Sequence, residues 1–261
     1  MDRWLGKTAV VTGAGSGMGK AITHALLRNG VNVTALDIEK ERLAKLDEEC
    51  KRDRTLAKLH SICCDVSIEN EIDKAFSTIE SLGGVDIMIN CAGVCYYTRI
   101  IDSQRKTFEK LLNINVLTYA VCMNKAVNSM RQRNVEGHIF NINSFLMCSV
   151  LAHNIPMKGL LDKDGYNGFN IYCATKHASR VLTTAVRREI ATVQAPIRVT
   201  SISPGLVKTN ITQHAKELYD LFDKMQCIEP EDVANALIYV LGTRPEVQIT
   251  ELTIQPTLEA I

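Results

Sequence analysis

The chain has 261 residues, 46% of them hydrophobic and 23% charged, and its 30 basic and 29 acidic residues leave a net charge of +1. Charges this evenly scattered exclude a nucleic acid or an anionic membrane as a partner held by charge, and the apolar share is ample for one core. The opening "MDRWLGK" carries charges where a signal peptide needs apolar residues, and no apolar run approaches the roughly 20 residues of a membrane span.

The nine cysteines are odd in number and lack framework spacing, so they read as small apolar residues of a reduced, cytoplasmic protein. No Cys/His set has metal-ligand spacing.

In chain order, the first apolar run is "TAVVTG" (8–13), followed by "AGSGMGK" and a helical pattern. Gly13, Gly17 and Gly19 therefore stand between a strand and a helix. Glycines there let the backbone approach a pyrophosphate, and the helix N-terminus supplies unpaired N–H groups. A glycine cluster also serves an ordinary strand-to-helix turn. What favours dinucleotide binding is the second strand, "VNVTALD" (31–37), which ends in an acidic residue. The Asp37 carboxylate can accept both ribose hydroxyls and would repel a 2′-phosphate. Ser16, Leu36 and Ile38 are not basic, and Lys40 is the nearest cation in sequence. NAD rather than NADP is the expected cofactor.

"ERLAKLDEECK" then reads as a surface helix running into the solvated "KRDR" at 51–54. A third strand, "LHSICCD" (59–65), precedes the helical "NEIDKAFSTIESL", and a fourth, "VDIMINCAG" (85–93), precedes a long helix through Asn115. The fifth strand is "GHIFNINS" (137–144). The segment 150–170, with its proline, glycines and mixed charges, interrupts the rhythm as an extended loop. The helix "YCATKHASRVLTTAVRREI", the strand "IRVTSISPG" (197–205), the helix "EDVANALIYVL" opening after a proline, and the strand "VQITELTI" (247–254) complete the chain. Val/Ile-rich strands alternating with helices predict one α/β domain over 1–261, a Rossmann-type doubly wound parallel sheet of about seven strands with helices on both faces.

The G-x-x-x-G-x-G spacing, "NCAG" at 90–93, "NINV" around Asn115, Ser144 after a strand, "YCATK" at 172–176 and "SPGLVKT" at 203–209 occur in this order. Together they resemble the short-chain dehydrogenase/reductase family over nearly the whole chain. The stretches "MDRW", "MQCIEPEDVANALIYVL" and "VQITELTIQPT" are similar to its member-11 dehydrogenase/reductase and insect farnesol dehydrogenase-like group. That group often uses NADP, so Asp37 is a departure from it.

The resemblance implies an oxidoreductase acting on CH–OH groups, with Asn115, Ser144, Tyr172 and Lys176 as catalytic residues. Independently, Tyr172 and Lys176 are four apart on a helix and so share a face. A cation beside a phenol, whose free pKa is about 10, favours the phenolate that would take an alcohol's proton as hydride leaves. Ser144 would bond the substrate oxygen, Lys176 would also bind the nicotinamide ribose, and Asn115 would hold a water linking Lys176 to solvent; Asn113 is close enough to be confused with it.

For the cofactor, the resemblance adds Ser16 and Met18 in the glycine turn, Ile38 after Asp37, and Asp65 and Val66 at the adenine. Asn90, Ala92 and Gly93 would line the ribose, Pro204 and Gly205 would set a turn, Val207 would face the nicotinamide amide, and Thr209 could reach that amide or the phosphates. Two departures stand out: Cys91 replaces an asparagine, and Ser144 lies 28 residues before Tyr172, roughly twice the usual span for a short connection. The extra residues form a candidate lid or specificity element, with Leu151, His153, Ile155, Tyr166 and Phe169 as candidate lining, or else a surface excursion that does not touch the substrate.

Val94, Tyr96, Phe145, Leu146 and Met147, with the outer wall "NITQHAKELYDLFDKM", make an apolar substrate surface. A hydrophobic alcohol or ketone fits it, isoprenoid or steroid-like at the level of the family. The alternatives are an NADP-dependent carbonyl reductase and a non-catalytic dinucleotide-binding protein. The resemblance also implies a homodimer or homotetramer, for which Met123, Val127, Met130, Ala178, Val181 and Ala185 could supply contacts, though the same residues could equally be core.

Overall fold

The computed structural model describes residues 1–53, 57–96, 98–145, 170–211 and 226–257. In chain order they form β1 (Thr8–Thr12), α1 (Gly17–Arg28), β2 (Asn32–Asp37), α2 (Lys40–Arg52), β3 (Leu59–Cys63), α3 (Glu69–Ser81), β4 (Ile87–Asn90) and α4 (Arg105–Leu112). A π-helical turn over Asn113–Leu117 leads into α5 (Thr118–Gln132), then β5 (Gly137–Ile142), α6 (Asn170–Thr192), β6 (Ile197–Pro204), α7 (Pro230–Gly242) and β7 (Glu251–Ile254). The seven strands make one parallel sheet in the order β3-β2-β1-β4-β5-β6-β7.

The inner strands β1, β2, β4, β5 and β6 are buried on both faces because a helical layer covers each, while the edge strands β3 and β7 stay partly exposed. On one side Ile22 and Leu26 of α1, Leu43 and Leu46 of α2, and Leu237 and Leu241 of α7 pack against Val11, Ile89 and Phe140. On the other, Phe76 and Ile79 of α3, Cys122 and Met130 of α5 and Ile190 of α6 pack against Val10, Met88 and Ile139. The helix expected after "EP" starts with Pro230 in its first turn and a capping box between Glu229 and Asp232.

Two expectations need correction. Strand β7 begins at Glu251, not at 247, because the Gln248 side chain replaces a strand residue there. Its Oε1 accepts the Val199 N–H at 3.0 Å and its Nε2 donates to the Val199 carbonyl at 2.8 Å. Met123 and Met130, offered as subunit contacts, are buried in the core of their own chain, while Val181 is 67% exposed. Leu146, Met147 and the loop residues Leu151, His153, Ile155, Tyr166 and Phe169 lie outside the described residues, as does most of the expected outer wall.

Candidate active site

The strand order reverses between β1 and β4, and an open parallel sheet binds ligands beyond its carboxyl ends at such a switch. The loops following the two strands meet there. Thr12 Oγ1 accepts the Cys91 and Ala92 N–H groups at 3.0 and 3.1 Å. Gly13 has φ +67°, and a β-carbon on it would stand 3.0 Å from the Ala92 Cα. A β-carbon on Gly19 would lie 2.1 Å from the Gly13 carbonyl oxygen, and one on Gly17 would meet Thr209 Cγ2 at 3.1 Å. Thr209 thus closes over the second glycine.

Helix α1 starts at Gly17 with Ser16 as N-cap and no side-chain bond capping it, so its first-turn N–H groups remain for an anion. Met18 packs partly against the core. These features fit a dinucleotide's pyrophosphate.

Asp37 ends β2 at 5% exposure. Its Oδ2 accepts the Gly15 N–H at 2.8 Å and its Oδ1 accepts the Glu39 N–H at 3.0 Å. A β-carbon at Gly15 would be 2.7 Å from Arg42 Cβ and 2.9 Å from Asp37 Oδ2. The sequence pointed to Lys40 as the nearest cation, but the stem found against Gly15 is that of Arg42. Ile38 projects outward, 58% exposed.

Three cofactor candidates have other employment for part of their groups. The Asn90 side chain is fully buried and ties β4 to β5, its Nδ2 donating to Asn141 Oδ1 at 2.7 Å, which leaves its backbone to face a ribose. Strand alternation turns the side chain into the helical layer, while Ala92 and Gly93 lie past the strand end. Val66 is packed in the core and its carbonyl accepts the Thr118 hydroxyl at 2.7 Å, leaving its N–H for an adenine. Asp65 Oδ1 accepts from the Ser67 N–H and hydroxyl at 2.9 and 2.7 Å, which fixes the turn into α3. After β6, the Gly205 N–H donates to Ile254 at 2.8 Å, Pro204 pairs with Ile254, and Val207 bridges to Ile228.

The four catalytic candidates come from three elements. The π-helical turn settles which asparagine matters: Asn115 is buried and Asn113 exposed. Asn115 Oδ1 accepts the Val94 N–H at 2.9 Å, and its Nδ2 donates to the Val94 carbonyl at 2.9 Å and to Thr175 Oγ1 at 3.1 Å. Both polar atoms have protein partners, so the side chain clamps the loop after β4 to α6.

Ser144, just past β5, shares a hydrogen bond with the Tyr172 phenol. Tyr172 and Lys176 stand one turn apart on α6, 5% and 3% exposed. Lys176 Nζ donates to the Ile142 carbonyl at 3.1 Å and lies 5.7 Å from the Tyr172 ring centroid.

The lowering expected from Lys176 together with the cofactor's nicotinamide cation is not present in the chain by itself. Burial pushes Tyr172 well above 10.0, Cys95, Tyr119 and Cys173 add to the rise, and the Ser144 hydrogen bond opposes it. Burial also pushes the Cys91 thiol up to about 12, against the pull of Lys176. Cys91 therefore stays a neutral thiol, and its backbone N–H still makes the turn's bond to Thr12.

A family model described as short chain dehydrogenase matches residues 7–220. The chain belongs to the short-chain dehydrogenase/reductase family. It is 39% identical to the farnesol dehydrogenase of Aedes aegypti, over 99% of each chain. It is 37% identical to the mouse dehydrogenase/reductase SDR family member 11, over 98% of this chain and 96% of that one. Among solved structures, a short-chain type dehydrogenase/reductase from Mycobacterium marinum superposes with a TM-score of 0.81 at 25% identity, covering 97% of this chain and 95% of the other. A serine dehydrogenase complexed with NADP⁺ gives 0.82 at 24%, covering 97% and 96%.

In this short-chain dehydrogenase/reductase, sequence reasoning missed five residues that the fold brings to the site. Thr12, Gly15 and Arg42 belong to the cofactor end, and Thr175 and Tyr119 to the neighbourhood of Lys176. Arg42 had a usable signal, since a helix following β2 directly must turn its first residues toward the glycine loop. Thr12 and Tyr119 had none, because a threonine in a strand and a tyrosine in a helix are ordinary core residues.

Proposed function

We propose that the chain is an NAD-dependent alcohol dehydrogenase oxidising a hydrophobic alcohol of isoprenoid or steroid-like type, with Tyr172 as acid/base. The observation that carries this reading is the Tyr172 phenol, hydrogen-bonded with Ser144 and flanked by the Lys176 ammonium, at the mouth of a glycine cradle. A protein that only bound a dinucleotide would have no use for that trio.

The nicotinamide cofactor supplies a two-electron acceptor when bound. Gly13, Ser16, Gly17, Met18, Gly19 and Thr209 would hold its phosphates, Asp37 its adenosine ribose, and Ala92, Gly93 and Lys176 its second ribose. Ile38, Asp65 and the Val66 backbone would border the adenine. Val207 would meet the nicotinamide amide on the turn that Pro204 and Gly205 set.

Ser144 donates a hydrogen bond to the substrate oxygen, and Tyr172 takes its proton. Burial opposes the phenolate, so the charge that favours it must come from close by. A unit charge at about 6 Å and an effective dielectric of about 20 contributes about 3 kcal/mol, a factor of about a hundred. Lys176, whose Nζ lies 5.7 Å from the Tyr172 ring centroid, and the nicotinamide cation of a bound cofactor would be those charges. Val94, Tyr96 and Phe145 border the opening, and the name of the mosquito relative favours an isoprenoid alcohol.

Arg42 favours a second reading, an NADP-dependent carbonyl reductase, because a guanidinium over the Asp37 carboxylate would offset its repulsion of a 2′-phosphate. A cytoplasmic homodimer or homotetramer fits the exposed Leu117 and Val181. No helix among the described residues is long and apolar enough to cross a membrane.

The test is nicotinamide absorbance with saturating NAD or NADP and a panel of terpenoid, steroid and short alcohols, wild type beside Tyr172→Phe. Turnover with NAD that the variant loses, while still binding the cofactor, is the expected result. Turnover with NADP alone would transfer the conclusion to the reductase.

A further inference from the structure

Tyr119, in the first turn of α5, is wholly buried, yet its hydroxyl is not spent on a distant structural partner. It donates at 2.9 Å to the Ile142 carbonyl, the same oxygen that accepts Lys176 Nζ at 3.1 Å. The ammonium also sits 5.6 Å from the Tyr119 ring centroid, nearly the distance at which it faces the Tyr172 ring on the other side. Both separations fall within the roughly 6 Å at which a ring face attracts a cation.

Lys176 is 3% exposed, so its charge has little water to lean on, and a buried ammonium is tolerated only with compensating partners. We propose that Tyr119 is a positioning residue, whose ring supports the Lys176 ammonium and whose hydroxyl fixes the carbonyl that Lys176 holds. It thereby keeps Nζ at the height from which it serves Tyr172 and the cofactor ribose.

The geometry assigns the ring and the hydroxyl different duties. The ring stabilises charge directly. The hydroxyl shares an acceptor with the ammonium and fixes where that acceptor points, at the end of β5 two residues before Ser144. The π-helical turn that buries Asn115 ends at Leu117, immediately before α5, so the same local winding aims both Asn115 and Tyr119 at the Val94–Lys176 region. A tyrosine present only to fill the core would tolerate a leucine with loss of stability alone.

This inference rests on the proposed use of Lys176 in cofactor binding, and its test reads binding, not turnover. NAD affinity is measured by titration calorimetry for wild type, Tyr119→Phe, Tyr119→Leu and the control Phe76→Leu, which removes a buried ring from beneath Lys125, far from the site. The dissociation constant for NAD should rise about five- to tenfold in Tyr119→Leu, the size expected of a lost cation–π contact in a dry site. It should rise less, about two- to threefold, in Tyr119→Phe, which keeps the ring and loses the hydroxyl's hold on the Ile142 carbonyl. Phe76→Leu should lower the melting temperature and leave the affinity alone. If Tyr119→Leu does not fold, Tyr119→Met takes its place. An unchanged affinity in the leucine or methionine variant, or a phenylalanine variant as weak as either, overturns the inference alone. A wild type that binds neither NAD nor NADP overturns the functional reading and this inference with it.

Discussion

Replacing Asp37 with asparagine separates the two tasks given to its carboxylate. Within the chain it accepts two backbone N–H groups, from Gly15 at 2.8 Å and Glu39 at 3.0 Å. An asparagine can keep one of these bonds, but its NH₂ then faces the other donor. Losing a hydrogen bond to a charged group costs about 2 kcal/mol, which lowers the melting temperature by about 4–8 °C in a chain of this size.

Toward the cofactor, two changes act in the same direction on selectivity. The ribose of NAD loses a charge-assisted bond worth about 2 kcal/mol. A 2′-phosphate is relieved of repulsion that, at about 5 Å and an effective dielectric of about 20–40, amounts to about 2–3 kcal/mol per unit charge. Together they move the ratio of the NADP to the NAD dissociation constant by at least about a hundredfold toward NADP.

Titration calorimetry with both nucleotides, on wild type and Asp37→Asn, reads that ratio, and a thermal melt reads the stability term. A ratio unchanged within about threefold would refute the assignment of Asp37 to the ribose. A wild type already favouring NADP, with a preference that Arg42→Ala abolishes, would mean that the guanidinium overrides the carboxylate.

Three further outcomes follow from the geometry. Gly19→Ala drives a β-carbon to 2.1 Å from the Gly13 carbonyl, and overpacking against backbone should cost about 1–3 kcal/mol and weaken NAD binding, read by thermal melts and calorimetry. Arg198, 5% exposed, donates to the Leu241, Thr243 and Val247 carbonyls at the end of α7. Arg198→Met should therefore cost about 3 kcal/mol in chemical denaturation. Partial burial raises Glu49, but hydrogen bonds from Lys20 and His24 outweigh it and hold the carboxyl below its ordinary 4.5. The unfolded chain then binds its proton first as pH falls, so this contribution is complete above pH 4.5 and is lost as pH drops through the folded value. Glu49→Gln should flatten that part of the melting curve against pH.

The strand and helix pattern was legible because burial dictates it. A parallel strand covered on both faces must be apolar almost throughout, and a surface helix must alternate, so the order of elements is written in residue type. The glycine cradle was legible for a related reason: Gly13 and Gly19 stand where the backbone itself occupies the space of a β-carbon. What the pattern did not carry was which way a polar residue at a strand end would face. Asn90 looked like a crevice residue from its place in "NCAG", yet one step of strand alternation turns it into the helical layer to meet Asn141. Met123 and Met130 could have faced a partner or the core, and a helix face is assigned only once its neighbours are known.

The residues that escaped notice share one property: each acts on a neighbour brought in by a different element. Thr12 grips the loop after β4, Arg42 reaches the glycine turn from α2, and Tyr119 meets Lys176 across the end of β5. Such pairs span 79, 27 and 57 positions of sequence, and no local signal can encode them. All three pairs meet at the carboxyl ends of the sheet's strands, Thr12 where the order reverses and Tyr119 at the neighbouring end of β5. A crevice assembled this way depends on long-range packing for its shape, while its chemistry rests on a few residues in short motifs. Substitutions of Ser144, Tyr172 or Lys176 should therefore remove activity and largely spare the fold. Substitutions at Thr12 or Tyr119 should instead move affinity and stability together, but not in proportion, if part of each contact serves a bound nucleotide as proposed.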